Sequence, residues 1–142
     1  VPYSQEALEA FATDAETPLT TLIHDLLEAR WREANVDFDD LCILMKIGRE
    51  SSELRMAFKE AVEGQRAALV AASARRTGKS EDSLEVLALV GTVQAMERCA
   101  VQSVVARPGG SSAEVADTFD RVVDVWARLS AELSADMSST KP

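Results

Sequence analysis

The segment Leu84–Ala106 constrains this chain more than any other. Leu84, Val86, Leu87, Leu89, Val90, Val93, Met96, Val101, Val104 and Val105 leave it apolar on nearly every side, and a helix without a polar face must be surrounded by other helices. Ala88, Gly91 and Ala95 run along one side. A mid-helix glycine costs about 1 kcal/mol against alanine, so Gly91 marks a place where a second helix comes close. The following segment, from Ser111 to about Leu133, carries Val115, Phe119, Val122, Trp126, Leu129 and Leu133 as one stripe at helical spacing. Its opposite side pairs Asp117 with Arg121 and Asp124 with Arg128, the four-residue spacing that stabilises an exposed helix face. These two helices carry more apolar surface than a six-helix monomer can cover. They predict a homodimer built on a four-helix interface, with Leu84, Leu87, Gly91, Ala95, Val115, Phe119, Val122, Trp126 and Leu129 at the contact; the alternative is a monomeric bundle that keeps both helices in its own core.

Four further helices precede this pair, and no segment reads as a strand. Ser4 caps a first helix running to about Thr13. Thr17-Pro18 opens a second, with Leu19, Leu22, Ile23, Leu26 and Leu27 on one face, ending near Asn35. Asp37 caps a short third, Phe38 to Arg49, whose buried side is Leu41, Cys42, Leu44 and Met45. Ser51 or Ser52 starts the fourth, with Leu54, Phe58, Ala61, Val62 and Leu69 inward, and Gly78 stops it. Ser80 is the expected cap of the fifth, and Ser111 with Glu114 forms a capping box for the sixth. The fold class is therefore all-α, a six-helix bundle over residues 1–133, with a Ser-rich tail over 134–142 that should fray.

The 142 residues suit one domain. Hydrophobic residues at 46% and charged residues at 27% exclude wholesale disorder, and no run approaches the ~20 apolar residues of a membrane span. A net charge of -9 repels phosphate backbones, which makes this chain a poor nucleic-acid binder by itself. Cys42 and Cys99 lie in apolar stretches and read as reduced core thiols, which fits the cytoplasm. No signal peptide is evident, and the chain does not begin with Met. That fits a removed leader or a chain that starts partway into a longer protein.

Catalytic motifs are weak throughout. Gly78-Lys79-Ser80 resembles the end of a phosphate-binding loop, but Ser73 stands where its first glycine belongs, and the loop would follow a helix rather than a strand. Asp37, Asp39 and Asp40 begin like a calcium loop, but Leu41 and Cys42 occupy the next positions. The single histidine, His24, excludes a di-metal helical bundle, and neither cysteine aligns with it for nucleophilic catalysis. Neither an enzyme nor a metal or cofactor is expected. What remains is a set of polar residues on apolar faces: His24, Gln65, Gln94 and Arg98. A buried arginine needs a partner, and Glu97, next to Arg98, points elsewhere. These groups are either core hydrogen-bonders or the polar contacts of a ligand cavity. Leu27, Trp31, Cys42, Met45, Phe58, Val62 and Met96 would line such a cavity.

Three places resemble the C-terminal ligand-binding and dimerisation domain of TetR-family transcriptional regulators. Val1-Pro2-Tyr3-Ser4-Gln5-Glu6-Ala7-Leu8-Glu9-Ala10-Phe11 is similar to the family's Tyr-Phe-Pro-Ser-Lys-Glu-Ala-Leu segment, which leaves the DNA-reading head and enters the connecting helix. Ser52-Glu53-Leu54-Arg55-Met56-Ala57-Phe58 followed by Arg66-Ala67-Ala68-Leu69 is similar to its middle helix. The Gly78 break, the apolar helix, the Pro108-Gly109-Gly110 loop and the Trp126 helix resemble its last two, dimerising helices. The resemblance implies a homodimer with a small-molecule effector pocket among the second to fifth helices, and regulation of the repressor type. DNA would be bound only through a helix-turn-helix preceding Val1, which this sequence lacks, and no membrane partner is implied. The competing class is a standalone helical dimeric interaction module whose middle helices are filled rather than hollow.

Overall fold

A computed structural model of the chain describes residues 2–139. Six helices account for most of them: α1 (Gln5–Thr13), α2 (Leu19–Ala34), α3 (Phe38–Glu50), α4 (Ser52–Thr77), α5 (Leu84–Val105) and α6 (Ser112–Ser139). Among the described residues there is no strand, only an isolated antiparallel bridge between Asp37 and Ser111. No helix among them is long and apolar enough to cross a membrane.

The helix ends follow local chemistry. Ser4, Asp37 and Ser51 each accept a backbone N–H of the first turn that follows, which satisfies donors the helix itself cannot pair. Ser111 does the same for Glu114. Asn35 and Gly78 end α2 and α4 in the left-handed region, at φ 47° and 67°. Pro18 stands one place earlier than expected, as the N-cap of α2. Ser83, not Ser80, caps α5; Ser80 instead donates its hydroxyl to Asp82 in the preceding turn. The tail expected over 134–142 is helical through Ser139, and residues 140–142 lie outside those described.

α5 supplies the centre. Val86, Val90, Val93, Met96, Ala100 and Val104 form a buried stripe along it. Around the stripe gather Phe11 from α1, Leu22, Ile23, Leu26 and Leu27 from α2, Leu69 from α4, and Val115 and Phe119 from α6. α2 packs against α6 and α1, α5 lies between α4 and α6, and α3 attaches to α4. Arg76 reaches from α4 to the carbonyls of Phe11 and Asp14, at 3.0 and 2.8 Å, closing the C-terminal end of α1. Arg75 grips Glu9 with two hydrogen bonds of 2.7 and 2.9 Å, which holds that exposed carboxyl below its ordinary pKa.

Several residues placed inward by the pattern are outside. α5 is not surrounded: Leu84 and Leu87 are exposed, and a Cβ on Gly91 would meet nothing within 4 Å. Among the described residues nothing closes on that face at Ala88 and Gly91, although Ala95 is half-buried. Leu44, Met45, Leu54, Phe58 and Val62 are exposed as well, because α3 and residues 52–64 of α4 extend past the end of the core. Both cysteines are exposed rather than core thiols. Val115 and Phe119, expected at a dimer contact, are fully buried in the chain's own core. Beyond Trp126 every α6 residue up to Met137 and Ser138 is exposed, so the apolar stripe Leu129, Leu133 and Met137 continues after the core has ended.

A backbone clip joins the α2–α3 turn to the α5–α6 loop. Phe38 N donates to Gly110 O at 3.2 Å, Ser112 N to Val36 O at 2.9 Å, and Val36 N to Ser112 Oγ at 2.7 Å. The clip leaves no room at Gly110, where a Cβ would stand 2.8 Å from Val104 Cγ1, 2.9 Å from its carbonyl oxygen and 3.0 Å from Phe38. Gly110→Ala is therefore expected to destabilise the fold by about 1–3 kcal/mol, the usual cost of overpacking, read as a lower urea midpoint with an unchanged slope. A midpoint equal to the parent's would mean that the loop yields freely.

Candidate functional site

An open groove of about 920 Å³ lies between α3 and the C-terminal end of α5, closed at one end by the α5–α6 loop. Its walls are Trp31, Phe38, Leu41, Cys42 and Met45 on one side and Val101, Val105 and Pro108 on the other. Asp39, Lys46, Arg49 and Arg107 stand at its edges. The local reasons are plain. Asp37 caps α3 and starts it beside the clip, and helical spacing then puts Phe38, Leu41, Cys42 and Met45 on one side. The ring of Trp31 meets that of Phe38 edge to face, with centroids 6.4 Å apart, a favourable aromatic geometry. The groove is large enough for a drug-sized guest, and its lining is mostly apolar with a few charged side chains.

Beneath the groove lies a polar relay. Trp31 Nε1 donates to Glu97 Oε2 at 2.9 Å. The same carboxylate accepts from Arg30 Nη1 through both oxygens, at 3.0 and 2.8 Å. The side chains of Arg30 and Glu97 are only 15% and 18% exposed, so the pair works in a low effective dielectric where removing one member is costly. The Arg30 guanidinium also lies 4.3 Å from the centroid of the Tyr3 ring, a cation–π distance. Tyr3 N in turn donates to Gln65 Oε1 at 3.0 Å. An unbroken set of contacts thus runs from the groove wall through α5 and α2 to the segment ahead of α1, and to α4.

The residues singled out by sequence divide between these places. Trp31, Cys42 and Met45 are together in the groove. Leu27 is fully buried in the core and Met96 nearly so. Phe58 and Val62 lie on the outer surface of α4; the ring of Phe58 covers Gly48 of α3. Gln65 serves the relay, while half-buried Gln94 and exposed Arg98 are outside the groove wall. Arg98 is exposed; the half-buried arginines are Arg76, which serves the end of α1, and Arg30, which pairs with Glu97. Helical spacing alone could have found that pair on neither helix, since it joins two helices. His24 is part of a separate cluster with Glu28 and Asp120. Val122 and Trp126 are half-buried and border a smaller dent of about 210 Å³ with Cys99, Thr118, Arg121 and Val125.

No family model matches the chain, and comparison with curated proteins and with solved structures finds no match either.

Tyr3 offers a direct measurement of the relay's burial. Burial pushes its phenol up to about 12, with Arg30 pulling it down and Glu97 adding to the rise. The group is raised above its unfolded value, so its contribution to stability is complete below about pH 10 and is lost between there and pH 12. The chain has a single tyrosine, so the 295 nm tyrosinate absorbance reports this residue alone. The expected result is a midpoint well above 10 in buffer that returns to about 10 in concentrated urea. The same midpoint in both would place the ring in water.

Proposed function

We propose that this chain is the effector-binding and dimerisation domain of a TetR-like transcriptional repressor, and that a small, largely apolar molecule occupies the groove between α3 and α5. The observation that carries the reading is the link from the groove wall to the N-terminal segment: Trp31 to Glu97, Glu97 to Arg30, and Arg30 to Tyr3. A guest that displaces Trp31 or draws it inward acts on Glu97, and through it on the segment that would lead to a DNA-reading head. Regulation follows when the guest binds one arrangement of that segment more tightly than the other, because two heads must match half-sites about one helical turn apart. The family assignment rests on the sequence resemblance, and the cytoplasmic setting is part of the same proposal.

Dimerisation would use the faces left open within the chain. Leu84, Leu87, Gly91 and Ala95 of α5 would lie against the Val122, Val125, Trp126, Leu129 and Leu133 side of α6 in a second copy, with Gly91 admitting the close approach. Val115 and Phe119 are spent on the chain's own core and have no place in that contact. The competing reading, an interaction module with filled middle helices, is disfavoured by the open groove.

Two measurements test the proposal. The fluorescent apolar probe 1-anilinonaphthalene-8-sulfonate should bind and quench tryptophan emission, and Met45→Glu should weaken that binding about tenfold or more by placing a carboxylate on the apolar wall. Equal probe binding by both proteins, with Met45→Glu folded by circular dichroism, would leave the groove without a role. Sedimentation velocity should give a dimer for the parent chain and a monomer for Leu129→Glu, since Leu129 is exposed and its replacement leaves the core intact. A monomeric parent would remove the dimer.

A further inference from the structure

Away from the groove, the side chain of His24 on α2 faces Glu28, one turn along, and Asp120, which comes from α6. His24 Nε2 is 3.0 Å from Glu28 Oε2 and 2.6 Å from Asp120 Oδ1, and one donor atom from each residue fits within 4.8 Å of the other two. We propose that these three residues are a binding site for a divalent transition-metal ion of the zinc class, joining α2 to α6.

The geometry separates this arrangement from an ordinary salt bridge. Nε2 is shielded from solvent and makes no hydrogen bond, although two carboxylate oxygens stand beside it. A hydrogen bond needs its acceptor close to the N–H axis, and both oxygens are off that axis. A metal ion occupies the axis itself, about 2.0–2.1 Å from the nitrogen. Oxygens bound to the same ion sit beside the nitrogen at about 3 Å, which is where Glu28 stands; Asp120, at 2.6 Å on an exposed side chain, has a few tenths of an ångström to move outward.

The surroundings complete the site. Asp25 Oδ1 lies 3.0 Å from Nδ1 of the same ring, the carboxylate–histidine contact that fixes the tautomer and leaves Nε2 as the ligand atom. Arg32 engages the other oxygen of Glu28 at 3.4 Å and Asp117 at 2.9 Å, so Oε2 of Glu28 is the oxygen turned to the ring. Counting these groups, the carboxylates of Asp25, Glu28, Asp117 and Asp120 face one arginine, in a chain of net charge -9. That excess is complementary to a dication. One imidazole and two carboxylates suit zinc, cobalt or nickel, whereas calcium and magnesium take oxygen ligands. Asp120 is 82% exposed, which leaves the remaining coordination positions to water.

The test is a titration of chelator-treated full chain with zinc chloride by calorimetry, and with cobalt chloride by visible absorption. It is made in a Cys42→Ser, Cys99→Ser background, because both thiols are exposed and thiolates bind the same ions. The expected result is one ion per chain, a weakening of more than about tenfold for Asp120→Asn, and loss of the site for His24→Gln. Zinc should also raise the thermal midpoint of the parent but not of Asp120→Asn. Asp120 is on the surface, so that variant carries the test even if His24→Gln folds poorly. The proposal is overturned if no ion binds, if Asp120→Asn binds as tightly as the parent, or if magnesium binds as tightly as zinc. The site stands or falls independently of the regulator reading.

Discussion

Burial of the α5 stripe, from Val86 to Val104, is the constraint on which the other helices depend. Its six positions are covered from different directions, by α4 and α6 alongside and by α1 and α2 through Phe11, Leu26 and Leu27. Valine dominates the stripe. A β-branched side chain has little χ1 freedom in a helix, so it loses little more on packing, and its short, broad shape lets neighbouring helices sit near. The covering helices are consequently fixed relative to α5 at the core and released where the stripe ends. The two exposed regions follow from this. α3 and residues 52–64 of α4 overhang one end, and the last three turns of α6 overhang the other.

The overhangs and the groove share this cause. α3 is attached chiefly to α4 and to the clip at Gly110, so a gap is left between its apolar side and the C-terminal end of α5. A gap of that kind is costly unless something fills it, since its walls of Trp31, Leu41, Met45, Val101 and Val105 are apolar surface facing water. Under the proposed function the groove holds a guest and the outer faces of α5 and α6 hold a second copy. The same hydrophobic term would then account for both.

The half-buried polar groups Arg30, Glu97 and His24 lie at seams between helices. Glu97 receives Arg30 and Trp31 in a half-buried position where each of its oxygens is used. A carboxylate paired on both oxygens tolerates burial; one paired on neither does not. His24, Glu28 and Asp120 lie at another seam, between α2 and α6, with acidic groups in excess. One seam is balanced and the other is not. That difference is why a cation is proposed for the second and not for the first.

The identity of the helices and most of their ends were legible in the sequence because they are set within a few residues, the cap of α5 and the end of α6 excepted. Ser4, Asp37, Ser51, Ser111, Asn35 and Gly78 act through hydrogen bonds or backbone preferences that span at most one turn. The apolar stripes of α2, α5 and α6 were equally legible, because the 3.6-residue period is local. Tertiary structure decided which apolar face is covered and which stays open. Leu87 and Val90 look alike in sequence, yet one is exposed and the other buried, because Leu87 shares the side of α5 on which Gly91 meets no neighbour, while Val90 shares the side of buried Val86 and Val93. Trp31, Cys42 and Met45 could be named as a lining set, but Phe58 and Val62, chosen by the same rule, face outward. The Arg30–Glu97 pair and the approach of Asp120 to His24 were beyond any local pattern, since each joins residues far apart in the chain that only the packing of α2 against α5 and α6 brings within reach.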